Sequence, residues 1–80
     1  QVLPDDGFEE AAIAWCRSLA ERAPIAARLM KENLNRAITC DLATALDAEA
    51  SNMVRSMSTA DHREAAAAFV EKRSPVFTGE

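Results

Sequence analysis

Eighty residues make one small domain, and a chain of that length buries only roughly 60% of its unfolded surface on folding. Hydrophobic residues are 49% of it, but 17 of those are alanine, so few large side chains remain to build a core. Lys and Arg number 9 against 13 Asp and Glu, a net charge of −4, the basic residues are scattered from Arg17 to Arg73, and only four aromatics exist, which argues against both the basic face and the stacking platform of a nucleic-acid binder.

The first six residues, from Gln1 to Asp6, include Val2-Leu3 ahead of Pro4, a pair that can end a strand. Asp5 or Asp6 is the expected N-cap of a first helix from about Phe8 to about Arg22. Phe8, Ala12, Trp15 and Leu19 recur at steps of four, three and four, which places them on one apolar face. Pro24 suits the first turn of a second helix, where its missing N–H costs nothing. That helix has a stripe of Ile25, Leu29, Met30, Leu34, Ala37 and Ile38. Asp41 is the expected N-cap of a third helix ending near Met57, with Leu42, Leu46, Ala50, Met53 and Met57 at helical spacing. Asp61-His62-Arg63-Glu64 has the pattern of a capping box for a last helix, running to about Arg73 and stopped by Ser74-Pro75. The expected fold is all-α, about four short helices over residues 7–73, with a tail over 74–80.

No apolar run approaches the ~20 residues of a membrane span, and no basic stretch followed by an apolar one marks a signal peptide. Cys16 and Cys40 form no CxxC pair, which suits a reducing, cytoplasmic setting, and both are expected to be buried small hydrophobes. The thin core and the start at Gln1 rather than methionine point to a chain helped by a partner or cut from something larger.

The chemistry-bearing residues nominate no catalytic group and no metal site. Neighbouring acids such as Asp5/Asp6 and Glu9/Glu10 do not converge when set on a helix, and Asp61 and Glu64 are absorbed by capping. His62, the single histidine, has no metal co-ligand or nucleophile near it in sequence and reads as a solvated side chain. No glycine-rich loop precedes a helix to cradle a phosphate. One cluster remains: Phe69 and Lys72 are three apart, hence on one helix face. Phe69 can be core, with Lys72 and Arg73 offsetting the helix dipole, or Phe69 and Lys72 can meet the base and phosphate of a nucleotide-like ligand.

The C-terminal third carries a further signal. Thr59-Ala60-Asp61-His62-Arg63-Glu64 and then Ala68-Phe69-Val70-Glu71-Lys72-Arg73-Ser74-Pro75-Val76-Phe77-Thr78-Gly79 closely resemble the C-terminal end of the enoyl-CoA hydratase/isomerase (crotonase) family. Val2-Leu3-Pro4 with Phe8 is similar to the exit from that family's last core strand. Ala23-Pro24 with Lys31 resembles its next helix, and Leu42, Ala45-Leu46 and Glu49-Ala50 the one after. Glycine usually stands in the family where this chain has Ala65, a better helix former.

The resemblance implies a single C-terminal helical domain over residues 1–80, with 1–6 closing a preceding spiral of ββα turns. It implies self-association as a trimer or hexamer and an acyl-CoA thioester as the substrate of the parent enzyme, with no further cofactor. The oxyanion hole of two backbone N–H groups and any catalytic carboxylate would lie in the spiral, outside these residues. Phe69 and Lys72 match positions that approach the adenine and 3′-phosphate end of CoA, while Arg73 is a weaker candidate. The expected function is thus the oligomerising, CoA-contacting end of such an enzyme, inactive alone. The alternative is a free-standing all-α interaction module without catalysis.

Overall fold

The computed structural model describes residues 2–80 and contains four helices: α1 (Phe8–Ala20), α2 (Pro24–Ala37), α3 (Leu42–Met57) and α4 (Ala60–Glu71). Among the described residues there is no strand, so Val2-Leu3 have no ladder partner there. Pro24 opens α2 at its first position, and the Asp41 carboxylate caps α3 by accepting from the Thr44 N–H at 2.8 Å. That bond holds the Asp41 carboxyl below the usual carboxylate range. Helix α4 continues through Ala65 without a break.

Two expected caps differ. Neither Asp5 nor Asp6 caps α1; Gly7 precedes it in the left-handed conformation at φ 71°. The turn into α1 needs positive φ, which glycine adopts without the clash a Cβ brings. Helix α1 also stops at Ala20, short of Arg22. Helix α4 begins one residue before Asp61, with Thr59 as its N-cap accepting from the His62 N–H at 3.0 Å. Asp61 therefore stands inside the first turn, and the capping box does not form.

Helix α2 packs chiefly against α3, and α3 meets α4; α1 makes no comparable contact with another helix. The partly covered positions of α3 are Ala45, Ala48, Asn52 and Ser56, at steps of three, four and four. On α2 they are Ile25, Ala26 and Asn33 around the buried Leu29. Asn52 donates to Asn33 across this seam at 2.6 Å. Small and polar residues thus let the two helices approach around Leu29 and Ile25, and most of the other large apolar residues of the stripes face outward. Phe8, Trp15 and Leu19 on α1, Met30 and Leu34 on α2, Ile38 just past its end, and Leu42, Leu46, Met53 and Met57 on α3 are all exposed. Cys16 is exposed as well, not buried, because it sits on the loosely packed α1; Cys40 is half-buried, and both are free thiols.

The arrangement is open. Its radius of gyration is 15.9 Å, against about 12 Å for a compact chain of this length. It exposes 6575 Å², whereas a folded protein of 8.7 kDa exposes about 4,700 Å².

Candidate functional site

The C-terminal turn of α4 positions both nominated residues. Phe69 lies in the last turn and is 85% exposed, so the core reading of this ring fails. Lys72 is not in the helix. It sits just past the end at φ 55°, ψ 40°, so the i,i+3 spacing does not set its direction. Two backbone bonds close the turn: Lys72 N–H to the Phe69 carbonyl at 3.3 Å, and Arg73 N–H to the Ala68 carbonyl at 3.0 Å. This is the Schellman ending of a helix, with lysine where glycine is usual. The backbones of Phe69 and Lys72 are joined by the first of these bonds, and Lys72 makes no ion pair among the described residues.

Arg73 is committed elsewhere. Its guanidinium forms a bidentate pair with Glu64, at 2.6 and 3.0 Å, and also reaches Glu71. The Arg73 bonds and the Val76 N–H, donating at 2.9 Å, hold the Glu64 carboxyl down at about 2. The same carboxylates push the Arg73 guanidinium pKa up.

Below this clamp the tail runs back along α4. Asp61 is 2% exposed, and its carboxylate accepts from Thr78 N–H at 2.8 Å and Gly79 N–H at 2.9 Å. In return the Asp61 N–H, one of the donors a helix start leaves unpaired, reaches the Glu80 carbonyl at 2.9 Å. Gly79 has φ 81°, and a Cβ there would stand 3.4 Å from the Pro24 ring, so the tail also reaches the start of α2. Capping had accounted for Asp61 and Glu64 in the sequence, and this role was missed.

His62 is exposed and lines a groove of about 420 Å³ at the α2–α3–α4 junction, with Leu29, Met30, Met53 and Met57. Ser56 and Glu49 share that groove, but no hydrogen bond joins either of them to His62, so no nucleophile–base pair is assembled there. Neither Phe69 nor Lys72 lines it. Among the described residues no three His, Cys, Asp or Glu side chains converge as metal ligands. Nor is any helix long and apolar enough to cross a membrane. The chemistry on offer is an exposed aromatic ring and an ammonium without an ion pair, three residues apart on a turn fixed by hydrogen bonds.

All 80 residues, 1–80, match the enoyl-CoA hydratase/isomerase family. The chain belongs to that family. It is 38% identical over 79 residues to 1,2-epoxyphenylacetyl-CoA isomerase of Escherichia coli (strain K12), a match taking in 99% of this chain and 30% of that protein. It is 33% identical over 70 residues to probable enoyl-CoA hydratase 2, mitochondrial, of Arabidopsis thaliana, covering 88% of this chain and 23% of that one. The crystal structure of enoyl-CoA hydratase from Bacillus anthracis superposes with a TM-score of 0.90 at 39% identity, over 99% of this chain and 31% of that one. This enoyl-CoA hydratase/isomerase family chain therefore spans less than a third of the length of these relatives.

Proposed function

We propose that these residues are the C-terminal helical part of an enoyl-CoA hydratase/isomerase family enzyme, contributing subunit contacts and the outer edge of an acyl-CoA site. The observation that carries this reading is a match over essentially the whole chain that takes in only 30% of a relative. The bare apolar stripes support it, because patches of that extent mark surfaces meant to be covered. In this proposal the covering surfaces are the preceding spiral domain and neighbouring copies, in a trimer or a pair of trimers. A cytoplasmic setting, in which Cys16 and Cys40 stay reduced, goes with it.

The residues present bind and position; they do not react. Phe69 offers a ring to the adenine of the CoA thioester, and Lys72 offers an ammonium to its 3′-phosphate. An exposed ring and an unpaired cation are what such contacts require. The catalytic donors belong to the spiral, so this chain alone turns over no substrate.

The test is Lys72→Ala in the full-length protein, assayed with an acyl-CoA and its dephospho analogue. Removing a hydrogen bond to a charged group costs about 1.5–3 kcal/mol, so KM for the acyl-CoA should rise about tenfold or more. KM for the dephospho analogue should hardly move. Equal changes for both would remove the phosphate interaction. The 80-residue chain, purified alone, should not hydrate a 2-enoyl-CoA. If it is instead a compact monomer at micromolar concentration and binds no CoA, it is an interaction module.

A further inference from the structure

Lys72 is the only non-glycine residue at positive φ among those described. A side chain held in that region persists where its surroundings over-determine it. The two backbone bonds of the helix ending are part of the explanation, but any such ending has them. What this chain adds is Glu64. Its carboxylate sits eight residues before Lys72 on α4, yet it grips the Arg73 guanidinium in two places and the Val76 N–H as well.

Geometry makes that grip a statement about residue 72. Were α4 to continue, Arg73 would lie about 13 Å beyond Glu64 along the helix axis, at 1.5 Å per residue. Val76 would be farther still. Both can meet one carboxylate only because the backbone reverses at Lys72 and returns along the helix. Downstream, Asp61 repeats the arrangement with Thr78 and Gly79, so the returning segment is tied at two points one turn apart.

We infer that Glu64 is a positioning residue for Lys72: by holding Arg73 and Val76 it fixes the chain reversal and thus the direction in which the lysine side chain leaves α4. Its functional consequence rests on the proposed CoA contact. Glu64 itself touches no ligand. It acts by presenting Lys72 beside Phe69 in one geometry, sparing the ordering cost that a mobile cation would meet on binding.

The experiment uses the full-length protein with Glu64→Gln, Lys72→Ala, the double variant, and Arg73→Lys as a second way to break the bidentate pair. Dissociation constants for CoA and dephospho-CoA are read by calorimetry, and crystal structures give the backbone at residue 72. Glu64→Gln and Arg73→Lys should each weaken CoA about 5- to 10-fold and leave dephospho-CoA within twofold. In the Lys72→Ala background, Glu64→Gln should cost no more than a further twofold. Equal weakening of both ligands, or an effect that adds in full to that of Lys72→Ala, overturns the inference. If Lys72→Ala fails to separate the two ligands, the CoA contact falls, and the crystal structure decides positioning by itself. A turn at residue 72 that changes in Glu64→Gln upholds it; a left-handed Lys72 with Arg73 and Val76 unmoved overturns it.

Discussion

Replacing Asp61 by asparagine should free the tail while leaving the helices in place. The carboxylate is buried, and its two oxygens accept one backbone N–H each, from Thr78 at 2.8 Å and from Gly79 at 2.9 Å. Asparagine has the same shape but only one acceptor oxygen. Whichever way its amide is turned, one tail N–H then faces an NH₂ group, and the other loses its charged partner. Hydrogen bonds to charged groups are worth roughly 1.5–3 kcal/mol, and neutral ones about 1 kcal/mol. Losing one outright and weakening the other costs about 2 kcal/mol or more.

That figure can be read locally. Where exchange proceeds by opening of the tail, about 2 kcal/mol is roughly a 30-fold acceleration. In Asp61→Asn, the Thr78 and Gly79 amides should therefore exchange at least about 30-fold faster than in wild type, with the α2 and α3 amides unchanged. Hydrogen exchange followed residue by residue gives both quantities in one experiment. Exchange at Thr78 and Gly79 within about threefold of wild type would refute the latch. Equal acceleration in all helices would show that Asp61 stabilises the whole fold and has no particular hold on the tail.

Three further outcomes follow from the same geometry. Phe69→Ala should shift the stability of this chain by no more than about 0.5 kcal/mol, as at other exposed sites; a melting curve lowered by several kcal/mol would mean the ring is covered. Asn52→Ala should cost about 1 kcal/mol, because it strips the Asn33 side chain of its partner across the α2–α3 seam, and an unchanged denaturant midpoint would remove that bond from the account. The Glu64 carboxyl is lowered from 4.5 to about 2 chiefly by its Arg73 bonds, so its contribution is complete above about pH 4.5 and is lost as the pH falls through about 2. Proteolysis of the tail by an acid protease should rise across that window and much less so in Glu64→Gln, whereas release between pH 8 and pH 6 would contradict this assignment.

The helices were legible because period and punctuation agreed. Pro24 and Asp41 mark starts for reasons local to a few residues, and the structure places α2 and α3 where those residues put them. The two missed caps show where local reasoning stops. Asp5, Asp6 and Asp61 are all competent caps, but Gly7 supplies a left-handed turn before α1, and Thr59 takes the cap of α4 and leaves Asp61 to the tail. Nothing in the spacing of Asp61 and Glu64 reveals that a segment more than ten residues away folds back onto them. Phe69 and Lys72 are nominated together from their helical phase, and the structure removes that reason, since Lys72 lies beyond the helix end.

The apolar stripes raise a subtler point about what a hydrophobic pattern reports. Met30 and Leu34 on α2, and Leu42, Leu46, Met53 and Met57 on α3, recur with the period of a helix face, which ordinarily marks the side turned to a core. Here that side is bare, and the faces that do meet carry Ala45, Ala48, Asn33 and Asn52. The pattern is therefore sound about burial and silent about the partner. Relative to a compact fold of this mass, about 1,800 Å² more surface is exposed, of which roughly half or more is apolar on a typical protein surface. At about 25 cal/mol per Å² its burial is on the order of 20 kcal/mol, larger than the 5–15 kcal/mol by which a whole domain is usually stable. One helix pair and a latched tail cannot match that. Large apolar residues on those faces are understood if the surfaces of a family enzyme cover them, as proposed, and the small residues of the α2–α3 seam serve to bring two such faces side by side.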